Sequence, residues 1–362
     1  MNKQLIVFNP SIEDGGVEKN LFLISNYLAK KKIDVTLITA DKKKLNKFNK
    51  NIKFSYPKNV NFNNSGRYKK YLYSLYLLIK EIILKKNIVV FSFQANIYTL
   101  LICKIFNIKI IVRLNTAPQG WNHNLIKNKI YKFLIGKADG IIVNSLDFKN
   151  EVKSRYSVNS HLILNPFDFK QIKLQARKKV KKIFPIKVIK LINVGRLTDQ
   201  KDQMLLLKAI NLIKDKLKIY LVIIGKGKNY SKLKKYIYEK KLHQYVKLLG
   251  YKKNPFQYIK QADIFLLSSK YEGSPNVLIE ALFLKKYIIS TNCPTGPNEI
   301  LHNGKFGKIF NVGDYKMLSK LILNFKKHNI KKTELNKYLK TYDKEINCNK
   351  YFEYIKKFIW NF

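Results

Sequence analysis

A chain of 362 residues exceeds what one compact core usually sustains, so two domains are expected. Its 46% hydrophobic content, with 23 Tyr and 22 Phe, excludes a disordered chain, and 15 Gly with nine Pro exclude collagen-like or low-complexity structure. The net charge of +48 rests on 71 Lys and Arg against 23 Asp and Glu, and only five of the cations are Arg. A dispersed Lys excess gives a diffuse positive field suited to anionic surfaces, whereas readers of base edges favour the planar fork of Arg. Drift toward Lys on solvated faces accounts for the excess equally well.

The first forty residues read strand, loop, helix, strand. Leu5 to Phe8 is apolar, a loop closes on Gly15-Gly16, and Leu21, Phe22, Ile24 and Leu28 fall at helical spacing before the β-branched run Val35 to Thr39. Such a βαβ opening implies a parallel sheet with right-handed crossovers. Further runs at Ile88 to Phe93, Lys109 to Arg113 and Gly140 to Asn144 are almost wholly apolar, as strands covered on both faces are. The opening run is too short for a signal peptide, and no stretch of about 18 apolar residues offers a membrane span. The expectation is a cytoplasmic chain.

The rhythm breaks after Asn165-Pro-Phe-Asp168, where Gln171 to Lys182 is polar and Lys-rich. The domain boundary is placed there, giving residues 1–167 and 168–345, with a last helix over 346–362 whose Tyr351, Phe352, Tyr354, Ile355, Phe358 and Ile359 form an apolar stripe. The second alternation takes strands at Lys190 to Gly195, Ile219 to Gly225, Val246 to Gly250, Ala262 to Ser268 and Tyr287 to Ser290. Helices are expected at Met204 to Lys214, Tyr230 to Lys241 and Val277 to Leu284. The fold class is therefore α/β, two Rossmann-like doubly wound domains. Their ligand sites belong at the carboxyl ends of the strands, which line one cleft if the sheets face each other.

Absent motifs exclude several families. Gly225-Lys-Gly227 begins like a dinucleotide fingerprint, but Tyr230 replaces the third Gly and no acidic residue follows at the expected distance. There is no P-loop, no Gly-x-Ser-x-Gly elbow, no His-Glu-x-x-His and no Asp-x-Asp. The five His are scattered, and Cys103, Cys293 and Cys348 have no paired short spacing, so neither a metal site nor a disulfide framework is expected.

Two segments carry chemistry. In Ser268 to Ala281, a strand runs into a loop holding Glu272 and Gly273, with Ser274, Pro275, Asn276 and Val277 opening a helix that carries Glu280. A helix N-terminus suits a phosphate, and a carboxylate beside it accepts bonds from sugar hydroxyls. Taken alone, the pair reads as an exposed helix Glu and a first-turn partner of the dipole. Gly195-Arg196-Leu-Thr-Asp-Gln-Lys201 also follows a strand, and its two cations suit a diphosphate through charge-assisted bonds. Taken alone, it reads as a capping turn with solvated cations.

Together, Arg-x4-Lys after a Gly-ended strand and Glu-Gly-Ser-Pro-Asn-x3-Glu-Ala some seventy residues later resemble the family-4 retaining glycosyltransferases of the two-Rossmann (GT-B) type. Gly15-Gly16-Val-Glu18-Lys, Asn193-Val-Gly-Arg196 and Thr295-Gly-Pro-Asn-Glu299 are similar to that family's loops. The resemblance implies that Arg196 and Lys201 hold the donor diphosphate and stabilise the leaving group. It implies Glu280 on the ribose, Glu272 on the transferred sugar, and Gly16, Gly195 and the Gly273 to Val277 segment close to the diphosphate. Leu249 to Lys252, with Tyr251, resembles the stretch that lines the base pocket. Where many members carry an N-domain His, this chain has Ile111-Val-Arg113-Leu-Asn115, so Arg113, Asn115 or His123, with Gly15, are the candidates on the acceptor side.

The implied reaction moves a hexose or N-acetylhexosamine from a nucleotide sugar, with UDP favoured, to a lipid-linked or surface-polysaccharide acceptor. Configuration is retained, and no metal or cofactor is expected. A basic nucleic-acid-binding protein and an epimerase of the same double fold are the rival readings, and no specific nucleic acid is expected as a partner. Gly66 to Lys86 mixes Tyr, Leu and Ile with Lys and Arg, as does Trp121 to Lys137. Both compositions suit helices lying in an anionic lipid interface, which would make the protein peripheral on the inner face of the plasma membrane. Core packing with a solvated Lys face is the alternative for these segments.

Overall fold

The computed structural model describes residues 4–360 except 14, 43, 59–61, 63–64, 116–124 and 327–330. The chain forms two compact units, residues 1–167 with 341–362, and residues 168–340.

The first unit runs β1 (Gln4–Phe8), α1 (Gly16–Lys30), β2 (Asp34–Ile38), β3 (Lys53–Ser55), α2 (Arg67–Leu84), β4 (Ile88–Ser92) and α3 (Asn96–Ile105). It continues with β5 (Lys109–Arg113), α4 (Leu125–Ile135), β6 (Gly140–Val143), α5 (Leu146–Tyr156) and β7 (His161–Leu162). The strands form one parallel sheet in the order β3-β2-β1-β4-β5-β6-β7. Alternate residues serve opposite faces, as the two-residue period of a strand requires. Leu5, Val7, Val89, Phe91 and Ile111 pack with Leu21, Ile24 and Leu28 of α1. Ile6, Phe8, Val90, Ile110 and Val112 pack with Leu77, Leu78 and Ile82 of α2 and Leu100 of α3.

The second unit runs α6 (Phe169–Arg177), β8 (Ile189–Val194), α7 (Gln203–Ile213), β9 (Ile219–Ile224), α8 (Tyr230–Glu239), β10 (Val246–Gly250), α9 (Phe256–Ile259) and β11 (Ile264–Leu267). Then follow α10 (Asn276–Phe283), β12 (Tyr287–Thr291), α11 (Pro297–Ile300), β13 (Lys308–Phe310), α12 (Tyr315–Leu323) and α13 (Lys332–Lys340). Its sheet is also parallel, ordered β10-β9-β8-β11-β12-β13. Leu191, Leu221, Ile223, Leu266 and Ile289 meet α7, α8 and α12 on one face.

The chain then returns to the first unit as α14 (Lys344–Trp360). Cys348, Tyr351, Ile355 and Ile359 enter the α1 side of the first core at helical spacing, with Phe352, Tyr354 and Phe358 at its margin. The Phe167 amide donates to the Tyr342 carbonyl (2.9 Å) and the Lys344 amide to the Phe167 carbonyl (3.1 Å), stitching departure to return. Arg113 fixes the helix more firmly. Its fully buried guanidinium donates from Nε to the Tyr351 hydroxyl (2.9 Å), from Nη2 to Asn165 Oδ1 (2.7 Å) and from Nη1 to Asn115 Oδ1.

Two sequence expectations need correction. Part of the polar stretch after Gln171 belongs to α6, an amphipathic helix that buries Ile172 and Ala176 and is capped by Asp168, whose carboxylate accepts from the Gln171 amide (2.9 Å). One narrow apolar stripe among lysines hides such a helix. The short strands β3, β7 and β13 have no counterpart in the sequence pattern, since two or three residues at or near a sheet edge carry no apolar run.

Removing the Tyr351 hydroxyl leaves the buried Arg113 Nε–H without its acceptor. Tyr351→Phe should therefore cost about 1.5–3 kcal/mol. A urea titration followed by circular dichroism should show a lower midpoint for the first unit, and an unchanged midpoint would contradict this role.

Candidate active site

Chain order in the second sheet runs outward from β8 through β9 to β10, then from β11 through β12 to β13 on the other side. The direction of winding reverses between β8 and β11, and ligands of doubly wound sheets bind in the crevice at such a reversal. The backbone opens that crevice. β8 pairs with β9 as far as Val194 and β11 with β12 as far as Leu267, but β8 and β11 pair only over Leu191–Ile192 and Ile264–Phe265. Beyond them the Asn193 side chain bridges instead, donating from Nδ2 to the Leu266 carbonyl (2.8 Å).

The loops after β8 and β11 meet at this point. Lys201 Nζ binds Glu272 Oε1, and both side chains are largely shielded, at 16% and 8% exposure. The Ser269 hydroxyl donates to the same carboxylate oxygen (2.5 Å), the Ser268 hydroxyl to the Lys201 carbonyl (2.7 Å), and Gln200 Nε2 to the Tyr271 carbonyl (2.9 Å). From the β12–α11 loop, the Thr295 hydroxyl donates to the Glu272 carbonyl (2.7 Å). A Cβ on Gly296 (φ +92°) would stand 2.7 Å from Pro275 and 2.8 Å from the Gly273 carbonyl, so only glycine lets these loops close.

Glu280 does not lie on an exposed face. It is 1% exposed in the second turn of α10, and Asn276, which opens that helix, is also buried. Pro275 precedes the helix, its carbonyl accepting from the Leu278 amide (3.0 Å), and Val277 is its second residue. Arg196 is exposed beside Gly195 at the end of β8, while Tyr251 follows β10 with the Lys226 ammonium 5.0 Å from its ring centroid.

The fingerprint-like Gly225 and Gly227 have a steric purpose. A Cβ on Gly225 would fall 1.8 Å from the Gly195 carbonyl, and one on Gly227 2.3 Å from the Leu197 carbonyl. They let the β9–α8 loop lie on the Arg196 turn, where the Leu197 amide donates to the Lys226 carbonyl (3.0 Å).

The first sheet reverses between β1 and β4. Gly16 opens α1 there, and the buried Glu18 accepts from the Gly15 amide (3.0 Å) and from Gln94 Nε2 (3.2 Å). Asn115 donates to the Phe93 carbonyl, and the Arg113 guanidinium is committed to the interior. His123 lies outside the described residues.

Among the described residues no group of three or more His, Cys, Asp and Glu is placed to hold a metal ion. Burial pushes the thiols of Cys103, Cys293 and Cys348 up to about 12, so they stay protonated near neutral pH. A hollow of about 450 Å³ lies away from the crevice, at the opposite edge of the second sheet, between Lys214, Leu217, Tyr220 and Tyr245.

Residues 14–171 match the family model described as Glycosyltransferase Family 4, and residues 175–345 that of Glycosyl transferases group 1. The chain belongs to this glycosyltransferase family. An uncharacterized glycosyltransferase of Methanocaldococcus jannaschii is 35% identical over 56% of this chain and 53% of its own length. The 4-alpha-N-acetylgalactosaminyltransferase of Campylobacter jejuni that acts on N-acetylgalactosamine-N,N'-diacetylbacillosaminyl-diphospho-undecaprenol is 29% identical over 59% of this chain and 60% of its own length. The matched segment thus spans little more than half of these relatives. Anabaena HepE, solved with UDP and glucose, shares the fold with a TM-score of 0.76 at 16% identity, over 98% of this chain and 100% of its own.

The ion pair makes a stability prediction. Lys201→Met leaves a shielded carboxylate without its cation and should cost about 2–4 kcal/mol, while Lys201→Met combined with Glu272→Gln should recover at least half of that. Thermal unfolding checks this, and a double variant that loses the full sum of the two single losses would contradict the pairing.

Proposed function

We propose that this glycosyltransferase moves a hexose or N-acetylhexosamine from a UDP-sugar to a lipid-linked or surface-polysaccharide acceptor, retaining configuration and needing no metal. The observation that carries this reading is the Lys201–Glu272 pair in the crevice where the second sheet reverses. As the acceptor hydroxyl bonds to the anomeric carbon, the bond from that carbon to the phosphate oxygen breaks, and the nucleoside diphosphate leaves with the electron pair and takes up the hydroxyl proton. Arg196 and Lys201 meet the negative charge that develops on it. Glu272 contacts the transferred sugar, Glu280 holds the ribose, Gly16, Gly195 and the Gly273 to Val277 segment approach the diphosphate, and Tyr251 borders the base. The UDP bound to HepE and the lipid-linked acceptor of the Campylobacter enzyme support the donor and acceptor classes. Retention and metal independence follow the family resemblance. Gly15 and Asn115 are assigned to the acceptor side.

The acceptor class bears on the first unit's surface. One face of α2 packs into the core through Leu77, Leu78 and Ile82, while Tyr68, Leu72, Tyr76 and Ile83 stand exposed on the other. Tyr98 and Ile105 of the neighbouring α3, and Ile130 and Phe133 of α4, are exposed as well. With Lys69, Lys80, Lys129 and Lys132 exposed on α2 and α4, this mixture suits the interface of an anionic membrane, each Lys near the surface adding about 1 kcal/mol. No helix among the described residues is long and apolar enough to cross a bilayer. The reading places the chain peripherally on the cytoplasmic face of such a membrane.

A donor screen with UDP-, GDP- and ADP-sugars, with EDTA and with or without vesicles containing anionic lipid, tests the reading. UDP-sugar turnover should persist in EDTA and rise with vesicles, and Lys201→Ala should lower it roughly ten- to hundredfold. Glu272→Gln should lower turnover, while Glu280→Gln should mainly weaken donor binding. Indifference to every donor, or dependence on added magnesium or manganese, would overturn it.

A further inference from the structure

We infer that Gln203 is a positioning residue for donor binding, acting through the Arg196 turn; the inference rests on the donor reading of Arg196. Gln203 is the first residue of α7 and is 1% exposed, an unusual environment for a glutamine side chain. Its Nε2 donates to the Arg196 carbonyl (3.0 Å) and faces Asn193 Oδ1 at 3.5 Å. Asn193 in turn donates to the Leu266 carbonyl, so two buried amides span from β11 through β8 to the Arg196 backbone.

The direction of these bonds is set by chemistry. The Leu266 and Arg196 carbonyls only accept, so each amide must present its nitrogen to one of them. Asn193 is left with its oxygen toward Gln203, and Gln203 keeps its own oxygen, buried and without a hydrogen-bond partner, in the same place. Its oxygen is unmatched, but its nitrogen serves the Arg196 carbonyl and faces Asn193 Oδ1, and an apolar side chain here would leave both acceptors without that donor. What the nitrogen accomplishes is to hold the Arg196 carbonyl, beside the guanidinium that follows β8. Gly195, whose missing Cβ would lie 3.8 Å from Gln203 Nε2 and from the Lys201 side chain, leaves the space above them open. Gln203 has no part in the family motif that singles out Arg196, Lys201, Glu272 and Glu280. A polar residue next to an apolar helical run is its only mark in the sequence.

A double-mutant cycle tests the inference, with UDP as the probe and isothermal titration calorimetry as the readout. Gln203→Leu should weaken UDP binding about three- to tenfold, measured well below its melting temperature, and Arg196→Ala should weaken it by more. In the Arg196→Ala background, Gln203→Leu should have no further effect, because the turn it holds no longer carries the guanidinium. A Gln203→Leu loss of the same size in both backgrounds would overturn the inference while leaving the donor reading intact. Unchanged UDP affinity in Arg196→Ala would overturn the donor reading and the inference with it. If Gln203→Leu does not fold, the uncharged and similarly long Gln203→Met, which has no N–H to donate to the Arg196 carbonyl, takes its place in the same cycle with the same expectations for UDP affinity.

Discussion

The parting of β8 from β11 is the constraint on which the second unit's chemistry depends. Two parallel strands that began paired at Leu191–Ile192 and Ile264–Phe265 separate toward their carboxyl ends, and their following loops enter the space between them. One loop brings a lysine and the other a glutamate, and the two meet under cover of Ser268, Ser269 and Thr295. An ion pair in this setting is seldom a net source of stability, because removing both charges from water offsets much of their attraction. Its presence at a sheet reversal is better understood through what an anionic ligand would do there. On the proposed donor reading, a diphosphate would take over the ammonium and the released carboxylate would accept from sugar hydroxyls.

The surrounding glycines and amides serve that geometry. Gly225 and Gly227 let one loop lie flat on the Arg196 turn, and Gly296 lets another close on Gly273 and Pro275. The first approach is backbone on backbone and the second meets the Gly273 carbonyl and the rigid Pro275 ring, so neither depends on side chains that could swing away. The first unit uses related means, with the buried Glu18 tying the Gly15 amide and Gln94 beyond the ends of β1 and β4, where its winding reverses. Its guanidinium at Arg113 is spent on holding α14, which makes the chain's last helix part of the first unit's core.

Much of this was legible in the sequence. Strands covered on both faces are apolar at most positions, so β1, β4, β5, β8, β9 and β11 could be read directly, and Gly-Pro punctuation marked the loop before α10. Elements of two or three residues near a sheet edge could not, nor could α6, whose buried stripe is Ile172 and Ala176 among polar residues. At the site, Arg196, Lys201, Glu272 and Glu280 stood out through their spacing, but spacing alone assigned Glu280 to solvent and the structure buries it. The contacts of Asn193 with Leu266 and of Thr295 with Glu272 join segments far apart in sequence, while Gln203 and Ser269 reach nearer partners, Arg196 and Glu272. Asn193, polar inside an apolar strand, and Gln203, polar beside an apolar helical run, each carry a local sign of their role.

Hydrogen–deuterium exchange with and without UDP tests most directly whether the reversal crevice of the second sheet is where a nucleoside diphosphate binds. Slower exchange in the segments that follow β8 and β11, residues 195–202 and 268–277, is the result this account requires. Protection confined to other segments, or none at saturating UDP, would contradict it.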